Sequence, residues 1–572
     1  MTYPLGDPAA YARWVVDWDT LDDGDRRAIA AAVERLPVRP LFSLVLPPSC
    51  LLDGAAGLLA SLRRQIYPHW ELWVEAGFEL DAAHPEEGRI FRYESVSGGV
   101  AGGLDAALAR LRGDFLIPVP EDAILADQAL FELAAAVAEN AGAELLYTDE
   151  DRLDEAGRRC EPRFKTGWDP ELILARDSVG CLSAYRADLV RRLGGFPRVG
   201  HGLELVLYAL ALRVVTAGDP ARVVHVPAVA CHRTAGPDGW NPDLARQLAR
   251  EHLAQSGEVA ARVSPAPLAP QWSRIERPPP ESEPLVSIIV PTRDGADLLA
   301  RCADGVLSWT DYRAIELLIV DNGSERPETF ALFERLAQDP RVRVLAQPGP
   351  FNFSALNNRA AEQARGQILL LLNNDTEVIE PGWLGELVSL VARTEVGAAG
   401  AKLLYADGRI QHAGVVLGRG TEITHQLRLS DRDDPGPDGE LALTRTVAAV
   451  TGACLAVRRS VFFEVGGLDE RNLAIGFNDV DFCLRLGDHG YRVVWTPFAT
   501  LFHLESVSRG YEDTPEKHAR MMRELNWLVG TWGSAMEVDR FHNPNLVFGW
   551  NESGLAGPPR RTAPWRRPLV IG

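Results

Sequence analysis

Short apolar runs closed by a proline, glycine or polar residue recur along the chain, and each is followed by a longer stretch in which apolar residues return at helical spacing. FSLVLP at 42–47, VSIIVP at 286–291 and the unbroken ILLLL at 368–372 have strand length and little polar alternation, as strands buried on both faces of a parallel sheet do. Strand-like runs alternating with helical patterns predict an α/β sheet built from strand–helix–strand units. Ahead of the first run, Tyr11, Trp14, Val15 and Trp18 stand at near-helical intervals, which predicts a helical segment over residues 1–40. Residues 264–284, SPAPLAPQWSRIERPPPESEP, are dense in proline, which withholds backbone donors and disfavours helix and central strand alike; the stretch reads as an interdomain linker.

The runs occur twice in one order. FSLVLP mirrors VSIIVP, ELWV at 71–74 mirrors ELLI at 316–319, and the helix ending at Gly113 with its following strand mirrors the helix ending at Gly366. LLYTD at 145–149 is matched with LLYAD at 403–407, and GGF at 194–196 with GGL at 466–468. A chain of 572 residues exceeds the roughly 250–300 that one core supports. Two copies of an α/β unit of roughly 220–240 residues account for it.

Composition narrows the ligand. Lys and Arg total 59 against 79 Asp and Glu, a formal charge of −20, which opposes the phosphate neutralisation that polynucleotide binding needs, so nucleic acid is excluded while a single nucleotide diphosphate is not. The seven cysteines are scattered without a C-x-x-C pair, which predicts free thiols and a reducing compartment. MTYPLGDPAA has neither the basic start nor the apolar core of a signal peptide, and no run is long enough to span a bilayer; the expected location is cytoplasmic. The carboxyl end, PPRRTAPWRRPLVIG, is basic, which makes peripheral contact with the inner face of an anionic plasma membrane an expectation for residues 551–572.

In an open α/β sheet, ligands lie beyond the carboxyl ends of the strands, so the polar residues there separate the two copies. The second copy has Asp321-Asn322-Gly323 after one strand, a carboxylate able to accept from a base or ribose, where the first has Ala76-Gly77-Phe78. It has Asn373-Asn374-Asp375 after the next, oxygen ligands suited to a hard cation, where the first keeps Asp122 and has Pro120 in place of Asn373. Asp479 opens a helix, and its first-copy counterpart is taken as Gly202. On residue type alone, Asp321 is equally a turn residue, Asp479 a helix-dipole complement, and His412 and His425 ordinary loop histidines.

The segments PLVSIIVPTRDG, ELLIVDNGS, LLLLNNDTEV, GFNDVDFCLRL and LFHLESVSRGYEDTPEKHAR, in this order and spacing, resemble the inverting nucleotide-sugar glycosyltransferases of the GT-A fold, and especially the bacterial branch that assembles O-antigen and rhamnan-type polysaccharides. LLYTDEDRLDEAGR and FKTGWDPELILARDSVGCLSAYR give the first copy the same likeness. The resemblance implies two tandem GT-A domains of Rossmann-like nucleotide-diphospho-sugar transferase type: a helical preamble 1–40, a degenerate domain 41–263, the linker, a catalytic domain with a C-terminal helix over 285–550, and the tail. It implies transfer of a sugar, with inversion, from a nucleotide diphosphate to a hydroxyl of a glycan or lipid-linked acceptor, and its branch points to dTDP-rhamnose as donor.

Carried over residue by residue, the likeness makes Asp479 the base and gives Asp375 and His503 to Mg2+ or Mn2+, with Asn373 standing where many members have an aspartate. Pro291, Thr292, Asp321, Asn358, Asn373, Asn374 and Arg509 are then expected at the nucleotide, and Gly452, His412 and Asp481 at the acceptor. Three other readings stay open: a second active site around Asp149, Glu150 and Asp151, a non-catalytic glycan-binding scaffold, and a nucleotidyltransferase. The last needs a glycine-rich phosphate loop, whereas Pro291-Thr292-Arg293-Asp294-Gly295 has one glycine.

Overall fold

A computed structural model of the chain describes residues 2–48, 52–78, 88–94, 98–200, 202–217, 219–234, 240–418, 420–504, 514–548 and 554–567. The chain divides into two compact units, the first made of residues 1–259, 542–547 and 553–572, the second of 260–541 and 548–552.

The central sheet of the first unit is built from β1 (Phe42–Val45), β2 (Trp70–Glu75), β3 (Ile90–Tyr93), β4 (Phe115–Pro118), β5 (Ala123–Leu125), β6 (Leu145–Leu153), β7 (Ser183–Arg186) and β8 (Val223–Arg233). The second unit repeats them as β9 (Val286–Thr292), β10 (Ile315–Asp321), β11 (Val342–Ala346), β12 (Ile368–Leu372), β13 (Thr376–Val378), β14 (Val396–Leu404), β15 (Cys454–Arg458) and β16 (Arg492–His503). The spatial order is β3-β2-β1-β4-β7-β6-β8-β5 in the first unit and β11-β10-β9-β12-β15-β14-β16-β13 in the second, the same permutation. The strands β9 to β12 are parallel, and the order reverses between β9 and β12. The crevice at that reversal is where an open α/β sheet takes its ligand.

The unbroken apolar strands are explained by cores on both faces. Ile289, Leu318 and Val320 join one core, with Leu369 and Leu371; Ile288, Val290, Leu317 and Ile319 join the other, with Leu370 and Leu372. Each such side chain withdrawn from water contributes roughly 1.5–3 kcal/mol, so the strand ends that carry the polar residues are anchored in a rigid floor. A polar clasp recurs in both units. Ser287 Oγ donates to Glu316 and accepts from Gly366 N at 2.8 Å, and Ser43 Oγ donates to Glu71 and accepts from Gly113 N at 3.0 Å. A Cβ on Gly366 would meet the Leu285 carbonyl and the Ser287 amide at 2.6 Å, so that glycine is required by the close approach of backbone.

Several expectations change. Residues 262–276, which overlap the first half of the 264–284 stretch taken for a linker, form an antiparallel hairpin, Arg262–Ala266 against Ala269–Glu276, inside the second unit; alternate residues can pair along an edge even where prolines interrupt donors. Cys181 and Cys231 are joined by a disulfide in the core of the first unit, against the expectation of free thiols throughout. The strings LLYTD and LLYAD are not equivalent. Leu145 pairs with Tyr185 and Ala398 with Val457, while Arg186 and Arg458 lie across from the equivalent Phe115 and Ile368, so Leu145 corresponds to Ala398. Similar apolar strings are interchangeable inside a buried sheet, and cross-strand partners decide the register.

The amino-terminal segment does hold two helices, Pro8–Trp18 and Asp23–Arg35, preceded by Thr2–Pro4 paired with Gly554–Ala556. The basic tail also has partners in its own unit. Arg561 pairs with Glu132 at 2.5 Å, Arg566 with Asp25 at 2.8 Å and Arg567 with Glu139 at 2.7 Å, so these charges are matched within the protein. Among the described residues no helix is long and apolar enough to cross a membrane.

Candidate active site

A cleft of about 670 Å³ opens in the second unit at the carboxyl ends of β9 and β12. Pro291, Thr292 and Arg293 enter from β9, and Asn373, Asn374 and Asp375 from the turn after β12. His503 comes from the end of β16, and Thr451, Gly452 and Asp479 close the far wall.

Asp375 is buried and its Oδ1 lies 3.3 Å from His503 Nε2. Gln411 fixes the state of that imidazole. Its Nε2 donates to the His503 carbonyl at 3.2 Å, so its Oε1 must accept from His503 Nδ1 at 2.6 Å. His503 then carries its proton on Nδ1 and turns the Nε2 lone pair toward Asp375, and Asn373 Nδ2 donates to that lone pair at 3.1 Å. A lone pair and a carboxylate oxygen facing each other are suited to a shared cation. One carboxylate and one imidazole with a supporting hydrogen bond fit a divalent ion whose remaining ligands are water and phosphate oxygens. Among the described residues no group of three or more His, Cys, Asp or Glu is arranged as a complete metal cage.

Asp479 lies in the first turn of the helix Asn478–Asp488. Its Oδ2 accepts from Gly452 N and its Oδ1 from Val480 N, both at 2.9 Å. Burial raises its pKa above the usual carboxylate range, and the Gly452 and Val480 amides oppose that shift only in part. The entry to this helix is held open at unusual cost. Phe477 sits at φ 60°, and Glu524 of the helix Pro515–Met536 accepts from Ile475 N at 3.1 Å and Gly476 N at 3.0 Å.

Other expected site residues are placed elsewhere. Asp481 is buried, accepting from Arg485 at 2.9 and 2.8 Å and from Trp532 Nε1 at 2.9 Å; two residues along a helix turn it away from the cleft, so it does not meet an acceptor. Asn358 exchanges two hydrogen bonds with the Leu468 backbone at 2.9 Å, as Asp105 accepts from Phe196 N in the first unit, so its work is to pin the loop after the paired glycines. Asp321 ends β10 beside Thr292 and accepts from Ser324 N and Oγ at 2.9 and 2.6 Å, at the strand-end crevice and outside the residues lining the cleft. Asn374 donates to Thr292 Oγ1 at 2.9 Å and lines the cleft. His412 stands behind the wall, fully buried, while His425 lines it. Arg509 lies outside the described residues. Gln411, Thr451 and Glu524 were not identified from sequence, since each acts on a residue distant in the chain; only the run PEKHAR marked the Glu524 helix.

The first unit has different side chains at the same positions. Arg233 pairs across from Ala123 as His503 pairs across from Thr376, and Asp122 and Asp375 each precede that partner. Arg233 Nε lies 2.7 Å from Asp122 and its Nη2 3.4 Å from Glu204. A guanidinium thus occupies the position of the imidazole and any cation. Glu204, in the first turn of Leu203–Ala217, holds the helical place of Asp479, so the expected loss at Gly202 is a carboxylate tied to Arg233 instead. Asp149 accepts from His225, Lys165 N and Asn543, Glu150 from Lys165, Arg163 and Cys181 N, and Asp151 from Tyr11, Arg159 and His232. Protein donors satisfy all three carboxylates, which removes the basis for a second cation site there.

Residues 287–466 match the sequence profile of glycosyl transferase family 2. An uncharacterized protein of Sinorhizobium fredii is 36% identical over 557 residues, 93% of this chain and 60% of that protein. The O-antigen biosynthesis protein RfbC of Myxococcus xanthus is 39% identical over 554 residues, 93% of this chain and 42% of that protein. An N-acetylglucosaminyl-diphospho-decaprenol L-rhamnosyltransferase of Mycobacterium tuberculosis is 28% identical over 243 residues, 37% of this chain and 73% of that protein. The chain spans less than two thirds of the length of the first two relatives.

Proposed function

Since the second unit carries a domain of glycosyl transferase family 2, we propose that the protein moves a sugar from a nucleotide diphosphate to a hydroxyl of a growing glycan, with inversion, in that unit alone. The observation that carries this reading is the placement of Asp479 and the Asp375–His503 pair on one cleft at the sheet's reversal point. Asp479 is the general base: burial raises its pKa, which strengthens it as a proton acceptor once it is ionised. As the acceptor oxygen attacks the anomeric carbon, its proton passes to Asp479 and the bond to the diphosphate breaks on the opposite face. Asp375 and His503 would hold Mg2+ or Mn2+, which when bound supplies charge neutralisation for the leaving diphosphate. Asn374 and Thr292 brace the nucleotide end of the cleft against each other.

The named substrate of the mycobacterial relative, a diphospho-lipid-linked N-acetylglucosamine, and its rhamnosyl transfer make dTDP-rhamnose and a lipid-linked acceptor the pair to test first. A thermal-shift screen of nucleotide sugars with and without Mn2+ should single out one donor, because a ligand bound only by the folded state raises its stability. Transfer should then require that donor and vanish in Asp479→Asn. Release of pyrophosphate instead of nucleoside diphosphate would establish a nucleotidyltransferase, and no turnover of any donor a binding scaffold. The Asp122–Arg233–Glu204 cluster supports a catalytically silent first unit.

A further inference from the structure

His412 and His425 form a hydrogen-bonded pair that the reaction above leaves without a role. The hairpin Val415–Leu417 and Ile423–His425 brings the second histidine to the cleft wall, while His412 ends the short strand Ile410–His412 behind it. The two Nδ1 atoms are 2.7 Å apart, and Thr451 N donates to His412 Nε2 at 3.3 Å.

These contacts permit one arrangement of protons. A contact between two ring nitrogens needs one donor and one acceptor. His412 already accepts at Nε2, so the neutral ring holds its proton on Nδ1 and donates it. His425 accepts at Nδ1 and therefore carries its own proton on Nε2, at the ring edge facing away from His412. Burial pushes His412 well below the ordinary histidine value and His425 down to about 4, and the charged and titratable groups around the pair, Arg428, Arg445 and His503, add to this, since none of them favours a charged imidazole.

We propose that His425 is an acceptor-binding residue whose Nε2–H donates to a sugar hydroxyl of the acceptor, and that His412 is the positioning residue that holds it in this tautomer. The pair faces the acceptor end and not the nucleotide end because of its anchor. Thr451 N holds His412, and the next amide, Gly452 N, holds Asp479 Oδ2 at 2.9 Å. A donor registered to the base through two consecutive amides contacts the molecule whose proton the base removes. An uncharged donor suits a hydroxyl and, unlike a lysine, adds no charge that would weaken Asp479 as a base. The inference rests on Asp479 being the base of the proposed transfer.

Two measurements test it. With isotope-labelled histidine, nitrogen correlation spectra at neutral pH should show His425 as the Nε2–H tautomer and His412 as the Nδ1–H tautomer, and His412→Phe should convert His425 to a tautomer mixture. A wild-type His425 protonated on Nδ1, or on both nitrogens, overturns the proposal. In kinetics with dTDP-rhamnose and N-acetylglucosaminyl-diphospho-lipid, His425→Ala should raise the acceptor KM about tenfold, the loss of one neutral hydrogen bond, with donor KM unchanged. His425→Gln, which keeps an N–H donor, should recover part of that loss, and His412→Phe should raise the acceptor KM in the same direction. A raised donor KM with an unchanged acceptor KM overturns the assignment. If the wild type transfers nothing to this lipid, the functional reading fails in its choice of substrates, and the spectra alone decide the histidine pair.

Discussion

The burial that makes Asp479 costly to keep ionised is what would strengthen it as the proposed base. Its folded pKa is raised, so its favourable contribution to stability is present below the unfolded value, about 3.9, and is lost as pH rises through the folded value. At neutral pH, Asp479→Asn removes that cost but turns an NH2 toward one of the two amides, Gly452 N or Val480 N, so the thermal midpoint in calorimetry should change little while transfer falls by about 10²–10⁴. A fall in both would make it a structural carboxylate. For activity the sign is opposite, because the proposed base works only when ionised: the acid limb of kcat/KM should lie above the range of an ordinary aspartate and should be absent from the residual activity of the asparagine variant. Asn373 offers a second test. Its amide donates to His503 Nε2, and Asn373→Asp should replace that donor by a ligand and tighten Mn2+ binding by about tenfold in calorimetric titration. Asp479 and Asp375 were legible in the sequence because each follows a strand or opens a helix inside an ordered motif. The tautomers of His503 and His425 were not, since each is set by a hydrogen-bond partner that only the fold brings into reach.

At the scale of elements, the site depends on supports that touch no substrate. The helix Pro515–Met536 reaches the Asp479 helix twice: Glu524 takes the two amides before Phe477, and Trp532 takes Asp481. Glu524→Ala leaves those amides without their acceptor, about 1–3 kcal/mol in a buried position, and frees the loop that sets the base. Its expected signature is a drop in kcat of tenfold or more with donor KM nearly unchanged, and a lower thermal midpoint. The strand Ile410–His412 has a comparable part, because consecutive residues point to opposite sides: Gln411 orders His503 and His412 orders His425. The apolar runs predicted the strands of the floor, and helical spacing predicted the main helices. The hairpin within residues 262–276 was missed because proline content outweighs a short pairing pattern in any local reading.

Over the whole molecule, one strand order serves two ends. Both units keep the serine–glutamate clasp and the loop pinned after the paired glycines, and among the described residues the second has an imidazole nitrogen beside its strand-end aspartate where the first has a guanidinium. Mn2+ titration should consequently give one site per chain, removed by Asp375→Ala and retained in Asp122→Ala. The latter should instead lower the stability of the first unit by about 1–3 kcal/mol, through a largely buried Arg233 deprived of its nearest carboxylate. Chelation of the cation should stop transfer without unfolding either unit. The sequence by itself determined the α/β class, the duplication, the likeness of residues 287–466 to glycosyl transferase family 2 and the strand-end carboxylates, because period, order and residue type are local properties that survive in a linear string. Only the tertiary structure decided that Asn358 and Asp481 are internal supports, that LLYTD lies against a different partner from LLYAD, and that Arg233 stands where His503 does. Those outcomes depend on which distant group lies within hydrogen-bonding reach, and folding alone brings such groups together.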